Sequence, residues 1–211
     1  DDEQLVEQFA AAFKLDSHIE EVVRVEKKVD HIRVEVIYRM PVAMVEVKVD
    51  EKRFVFPVDR SAVVMQTNDF DEADLGEFLR LVSDYSKPKG NSGTPWGDPV
   101  ITAGAAIASV LNDLAWQSMG LYRIYSIAEN DGSNRYYYLN LKDDDNVRIL
   151  WGNPPDEEES GEASATEKLQ NLQAFFRENR TLSVSSESAE LDLRNKDGVV
   201  VVPLALESDM K

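Results

Sequence analysis

The sequence predicts an α+β fold, in which a small unit of one helix and two strands precedes a mostly antiparallel β-domain with two helices. The first observation behind this prediction is the apolar residue at every second position over 32–38, which is typical of a half-buried strand. The second is a series of strand-like segments after residue 45, separated by turn residues. The third is a pair of amphipathic helical patterns, at 102–117 and 168–177, among those strands.

The small unit is predicted to occupy residues 1–45. A first strand, in which Val23 and Val25 alternate with charged residues, is followed by a turn at 28–30 and a second strand over 32–39. Pro41 ends the second strand, because proline cannot donate a hydrogen bond to a central ladder. A helix precedes both strands, and its apolar face comprises Leu5, Phe9, Ala12 and Phe13.

The larger β-domain is predicted over residues 46–206, with a tail at 207–211. Residues 87–99 contain three prolines and three glycines and are expected to form a loop. Ser164 and Glu167 have the spacing of a capping box at the start of the second helix. Strands are expected at 45–49, 54–58, 63–65, 121–127, 135–141, 147–151, 190–194 and 199–206.

Composition excludes several classes of function. With 43% hydrophobic residues among 211, the chain can form a packed core and is unlike a disordered sequence. Its net charge of −17 argues against nucleic-acid binding, which depends on Lys and Arg neutralising phosphates, and against docking on anionic lipid. The absence of cysteine excludes disulfides, thiolate catalysis and thiolate metal sites.

No pattern in the sequence indicates catalysis, a cofactor or a metal site. The two histidines, His18 and His31, have no ligand-spaced partner, and no nucleophile elbow or phosphate-binding glycine loop occurs. The acidic run at 143–146 lacks the glycine and the distal glutamate of a calcium loop, so a hairpin turn is predicted there. We therefore expect a protein that is not an enzyme.

The sequence contains no apolar run of the roughly 18 to 20 residues that cross a bilayer. It opens with acidic residues and without methionine, which is the pattern of a trimmed soluble fragment. We therefore expect membrane attachment only through a helix upstream of the given sequence.

The valine run near the end of the chain leaves two structural alternatives open. Residues 199–202 are all valine, so the strand shows no alternation and both of its faces favour burial. If the strand lies at the edge of a sheet, its unpaired backbone groups favour the addition of a strand from another chain. The alternative is an internal strand buried between a sheet and a helix.

Several short segments resemble, in the same order, landmarks of the bacterial cell-division proteins of the FtsQ/DivIB family. The small unit is similar to the family's POTRA domain, with the customary first strand missing. Residues 39–43 within it are similar to the family's R-x-P-V-A motif. Residues 56–64 resemble a strand–turn–strand motif, and 147–152 and 189–194 resemble the family's v-x-l-G and I-D-L-R strands. Residues 69–97 match the family poorly.

The resemblance implies a non-catalytic scaffold of the division machinery, anchored in the inner membrane by a single helix, with this part on the periplasmic side. It implies partners among the small coiled-coil division proteins, FtsB and FtsL or DivIC, which add a strand to the C-terminal edge. Many relatives carry an aromatic or large residue where this chain has Asn195, which leaves the identity of the partner open. The implied partner-binding residues are Arg194, Asn195, Lys196, Asp197, Gly198, Val199, Val200, Val201 and Val202, and the implied recruitment residues are Arg39, Pro41, Val42 and Ala43.

Two other functions stay open from the sequence. One is a POTRA-type protein of outer-membrane assembly or secretion, which binds extended polypeptides through the same edge chemistry. The other is an enzyme, which would need a buried pair of carboxylates in a concave pocket, and none is predicted.

Overall fold

The structure, a computed structural model, describes residues 2–50, 52–71, 73–83, 87–129, 134–184 and 188–204. Within these ranges the chain forms three α-helices and ten strands. The helices are α1 (Asp2–Lys14), α2 (Pro99–Leu111) and α3 (Ala165–Asn179). The strands are β1 (Ile19–Lys27), β2 (Ile32–Tyr38), β3 (Pro41–Val49), β4 (Lys52–Asp59), β5 (Leu79–Ser83), β6 (Leu121–Ala128), β7 (Arg135–Leu141), β8 (Val147–Gly152), β9 (Ala189–Asp192) and β10 (Val200–Pro203).

The predicted α+β class is confirmed. β1 and β2 form an antiparallel hairpin against which α1 packs, so the helix and two strands of the small unit are present. The other eight strands form one sheet in the order β10-β9-β8-β7-β6-β5-β3-β4. Neighbouring strands in this sheet are antiparallel except for the pairs β3–β5, β5–β6 and β8–β9.

Two of the parallel pairs follow from the helices that connect their strands. Parallel neighbours need a long crossover, and α2 supplies it between β5 and β6, as α3 does between β8 and β9. α2 packs on β3, β5 and β6 and also contacts α3, so the helices cover one face of the sheet. Paired residues on that face form a single apolar row across the sheet, and each is nearly or fully buried: Val45, Leu81, Ile124, Leu139, Ile149 and Leu191.

The change from the small sheet to the large one occurs earlier than predicted. β3 begins at Pro41, so the predicted boundary after residue 45 falls inside this strand. Proline is favourable at the first residue of a strand, because its missing N–H is not needed there. The linker between the two units therefore consists of only two residues, Arg39 and Met40.

Several predicted elements differ from the structure in their bounds, and β5 was not predicted. The helix predicted at 102–117 begins at Pro99 because Asp98 caps it, accepting a bond from Val100 N at 2.9 Å, and proline is favourable in the first turn. It ends at Leu111, and a separate 3₁₀ turn follows at 116–119. The strand predicted at 63–65 forms only isolated bridges. The strand predicted at 199–206 is β10, and residues 205 and 206 lie outside the described ranges.

A buried ion pair fastens the small unit to the large sheet. Arg39 pairs with Asp59 at the end of β4, and its guanidinium also donates to the carbonyls of Ser17 and Ile19, both at 3.2 Å. The Asp59 side chain is 1% exposed and accepts two further bonds, from Ser61 N at 2.9 Å and Val63 N at 2.8 Å. Both oxygens of this buried carboxylate are thus engaged, Oδ2 by Arg39 across the junction and Oδ1 by the backbone of the turn that follows β4.

His18 forms a second, more exposed contact between the two units. Its ring nitrogens lie 2.8 Å from Asp16 and 2.7 Å from Asp69, which belongs to the large unit. Hydrogen bonds to these two carboxylates raise the pKa of His18. Because the three side chains are 38–52% exposed to solvent, these ion pairs contribute less to the free energy of unfolding than the buried pair of Arg39 and Asp59.

We predict that Asp59→Ala lowers the free energy of unfolding by about 3–5 kcal/mol, because it leaves the charge of Arg39 buried without a partner. Urea denaturation measures this loss. The control is Arg60→Ala, which removes an exposed ion pair with Glu20 and is expected to cost less than about 1 kcal/mol. Equal losses in the two variants would contradict the role given to Asp59.

Candidate partner-binding edge

β10 is the last strand of the large sheet at one end. It pairs antiparallel with β9, from Val200 opposite Asp192 to Pro203 opposite Ala189. No strand in the described part of the chain pairs with its other side. The side chains of Val200, Val201 and Val202 are 41%, 45% and 39% exposed. The alternative of a strand buried between sheet and helix is therefore wrong, and we call the unpaired side of β10 (residues 200–203) the open edge.

The hydrogen bonds around β9 fix which backbone groups of β10 face outward. Leu204 N donates to Ser188 O at 2.8 Å, which makes this pair a hydrogen-bonded one. Such pairs recur at every second position, so Val202 and Val200 also face β9. The other side of β9 agrees with this register, since Ala189 N and Leu193 N donate towards β8.

It follows that Val201 and Pro203 direct their backbone towards the open edge. Val201 offers one N–H donor and one C=O acceptor, whereas Pro203 offers an acceptor only. Proline is therefore tolerated at this position, because the N–H that it lacks would have pointed to solvent. An added strand meets two hydrogen-bonding groups at Val201 and one at Pro203.

The two faces of β10 differ in their surroundings. Val201 lies opposite Leu191 and continues the apolar row beneath the helices, although it is half exposed at the end of that row. Val200 and Val202 lie opposite Asp192 and Glu190 on the helix-free face. An incoming strand would therefore meet apolar side chains on both faces, with charged groups one strand further in.

The other end of the sheet is protected against strand addition. β4 begins with Lys52 and Arg53, both exposed, and charged residues of this kind discourage edge pairing. Further along β4, Val58 forms a bridge with Val64, which covers that part of the strand. Of the two ends of the sheet, only β10 presents an apolar strand with no charge of its own.

The turn before β10 is held by Arg194. Its guanidinium binds both oxygens of Asp192, at 2.7 Å and 3.0 Å for the closest contacts, and lies over the Tyr136 ring at 5.3 Å. The same ion pair raises the pKa of Arg194. Burial raises the pKa of the Asp192 carboxyl, but the hydrogen bonds from Arg194 outweigh it, so the net pKa is lowered. The predicted partner-binding arginine is thus already engaged within the chain.

The loop before α3 clamps the rest of this turn. Ala163 N donates to Arg194 O at 2.8 Å, and the Asn171 side chain of α3 donates to Asn195 O at 2.9 Å. Lys196 and Asp197 are exposed, and Gly198 has a φ of 132°, which favours glycine. The nine predicted partner-binding residues thus comprise a turn at 194–198, the half-buried Val199, which packs against the core, and the three exposed valines of β10.

A buried ion pair holds the clamping loop in place. Lys168 of α3 is fully buried, and its Nζ lies 2.7 Å from Glu162 Oε1 and 3.0 Å from Asn153 O. Glu162 also accepts bonds from the backbone and side-chain nitrogens of Asn153 and from Glu159 N. Burial lowers the pKa of Lys168. For Glu162 burial acts to raise the pKa, but the bonds from Lys168 and Asn153 prevail and lower it.

Gly152 permits this arrangement. It adopts a φ of 90°, and a Cβ atom there would overlap Glu162 Oε1 and lie 2.7 Å from Arg194 Cγ. The glycine at the end of β8 therefore lets the Glu162 pair and the Arg194 turn approach the same point.

The predicted recruitment residues lie at the opposite end of the sheet from the open edge. Arg39 is 10% exposed and committed to Asp59, and Val42 and Ala43 are buried in β3. Their predicted role in recruitment stays a prediction, and the side chains of Arg39, Val42 and Ala43 leave little surface for direct contact with a partner. Met40 between them is exposed.

The remaining sequence predictions concern chemistry. The described residues contain no group of three or more His, Asp or Glu side chains arranged to hold a metal ion.

The capping box predicted at the start of α3 is present, with Ser164 N donating to Glu167 at 2.7 Å. Sequence reasoning missed the buried Lys168, although its position four residues before Leu172 places it on the apolar face of α3.

We predict that Lys168→Met lowers the free energy of unfolding by about 3 kcal/mol, because Glu162 is left buried and unpaired. Adding Glu162→Gln should recover part of the loss, since the neutral amide removes the unpaired charge and keeps an acceptor for the Asn153 and Glu159 nitrogens. Urea denaturation of the three proteins measures this. A double variant as unstable as the single one would contradict the explanation.

The acid stability of the protein should depend on Glu162. Its folded pKa is below the ordinary value of 4.5, so the unfolded state binds more protons as the pH falls. The stabilisation is complete above pH 4.5 and is lost as the pH falls through the lower folded pKa. We expect Glu162→Gln to lose less unfolding free energy than the wild type between about pH 7 and about pH 3. Parallel pH curves would contradict this.

No helix in the described ranges has the length and apolar character needed to cross a bilayer. No family model matches the chain, and no curated protein is significantly similar to it.

Proposed function

We propose that this protein is a non-catalytic scaffold of the bacterial division machinery, acting on the periplasmic side of the inner membrane. In this proposal a small coiled-coil division protein of the FtsB, FtsL or DivIC kind adds a strand to β10. The observation that carries the proposal is the exposed valine strand at the end of the sheet, with its outward backbone unpaired within the described residues.

The energetics indicate what kind of strand fits. The three outward groups at Val201 and Pro203 contribute about 0.5–1.5 kcal/mol each on binding. Association itself costs at least about 4 kcal/mol, so backbone bonds alone give little affinity. Contacts with the half-exposed side chains of Val200, Val201 and Val202 must supply the rest. The partner segment is therefore expected to be apolar as well as extended.

The clamped turn favours binding without rearrangement. Arg194 and Asn195 are already fixed to Asp192, Ala163 and Asn171, so β10 does not need to be ordered by its partner. A preformed edge lowers the entropic cost of strand addition. The side chains of Val200, Val201 and Val202 stay 39–45% exposed beside the helices, so the open edge is accessible.

We predict that Val201→Pro weakens partner binding by about tenfold or more while the protein stays folded, because the substitution removes only the outward N–H and leaves a carbonyl of the partner without its donor. Val202→Pro should instead detach β10 from β9 and lower stability, because that N–H faces inward. Co-purification with the coiled-coil division proteins of the same organism measures binding, and circular dichroism measures folding.

The matched control is Val23→Lys, which changes an equally exposed valine of β1 and should leave binding intact. Val201→Lys should reduce binding, because it places a charge in the strand interface. Normal binding by a folded Val201→Pro protein would contradict strand addition at β10.

A further inference from the structure

Two arginines face each other across the centre of the sheet, on the face opposite the helices. Arg80 of β5 and Arg123 of β6 are directly opposite in the register. Like charges at opposite positions in a sheet are destabilising. A single carboxylate, Glu46 on β3, serves both, at 3.8 Å from Arg80 and 3.4 Å from Arg123. Two cations therefore share one anion.

Both guanidinium groups have a donor that is not satisfied. Arg80 Nη1 and Arg123 Nε are buried and have no hydrogen-bond acceptor in the part of the chain that the structure describes. Buried donors without acceptors are unfavourable and rare in folded proteins. The Arg123 side chain as a whole is 35% exposed, so other atoms of this side chain, though not the buried Nε, are accessible to another molecule.

A cavity of about 600 Å³ opens beside Arg123. β5 and β6 pair at only two positions in the described part of the chain, and residues of both strands line the cavity. Its lining includes three cations, Arg123, Arg135 and Lys142, and two acids, Asp98 and Asp145. Asp98 is already used to cap α2, and Arg135 donates to the neutral hydroxyl of Ser126 at 2.8 Å. The cavity thus has an excess of positive charge in a chain whose net charge is −17.

We infer that this cavity binds an extended segment of a partner polypeptide that carries glutamate or aspartate side chains. Of the two arginines that share Glu46, Arg123 lines the cavity, and arginine binds carboxylates with two parallel bonds. Tyr122 and Tyr125 in the lining offer contact area for the peptide. The volume lies within the usual range for pockets that bind small ligands.

The net negative charge of the whole chain disfavours the binding of a polyanion more strongly than the binding of a short acidic peptide. A segment with one or two carboxylates meets the local cations, and its repulsion from distant acids is screened over about 8–10 Å. Nucleic acid carries a phosphate at every nucleotide and would be repelled along its length. The cavity lies next to β6, which is separated from β10 by three strands, so the inference does not depend on strand addition at the open edge.

The test is a titration of the full chain with a fluorescein-labelled hexapeptide that contains two glutamates, followed by fluorescence anisotropy. We expect saturable binding below about 1 mM, the weak end of the affinity scale. Arg123→Gln should weaken it about tenfold, as expected for the loss of a charge-assisted hydrogen bond. Lys142→Ala, a change at an exposed position that leaves folding intact, should also weaken it.

Two controls define the specificity. The same peptide with glutamine in place of glutamate should not bind. Lys52→Ala, which removes an exposed cation from β4, should leave binding unchanged. The inference is overturned if no binding occurs below about 1 mM, if Lys142→Ala and Lys52→Ala behave alike, or if an oligonucleotide displaces the peptide at lower concentration than unlabelled peptide does.

Discussion

The backbone pairing of β9 is the constraint on which the functional interpretation depends. β9 is hydrogen-bonded on both sides, to β8 through Ala189 and Leu193 and to the final strand in the register set by Leu204 and Ser188. Because these bonds alternate along a strand, the same register that joins β10 to the sheet directs the N–H of Val201 away from it. The chain therefore ends its sheet with a strand that is satisfied on one side only.

The surrounding structure keeps that strand in place. A series of contacts runs from α3 to the open edge: buried Lys168 holds Glu162, the loop of Glu162 bonds to Arg194, and Arg194 closes the turn on Asp192. Gly152 leaves the space in which these groups meet. The far end of the sheet is treated differently, with charged residues on β4 and a buried ion pair that fixes the small unit. The protein thus protects one edge and presents the other.

Local patterns in the sequence predicted much of this structure. The alternation of apolar and charged residues predicted β2, and the capping box predicted the start of α3. The four consecutive valines indicated that the final strand differs from the others. The order of the strands could not be predicted, because it depends on contacts between distant segments of the chain. Without that order, the sequence could not decide whether the valine strand lies at the edge of the sheet or is buried. The burial of Arg39 and Lys168 was not predicted for a related reason. A charged side chain is expected at the surface unless its partner is known, and Asp59 and Glu162 become partners only in the folded chain.

The most direct test is amide hydrogen exchange in the free protein, observed by NMR at neighbouring valines of β10. The account predicts fast exchange at Val201, whose N–H faces solvent, and slower exchange at Val202, whose N–H is bonded to β9. Addition of the partner should slow exchange at Val201 selectively. If Val201 is protected in the free protein as strongly as Val202, the edge is already occupied and the account is wrong.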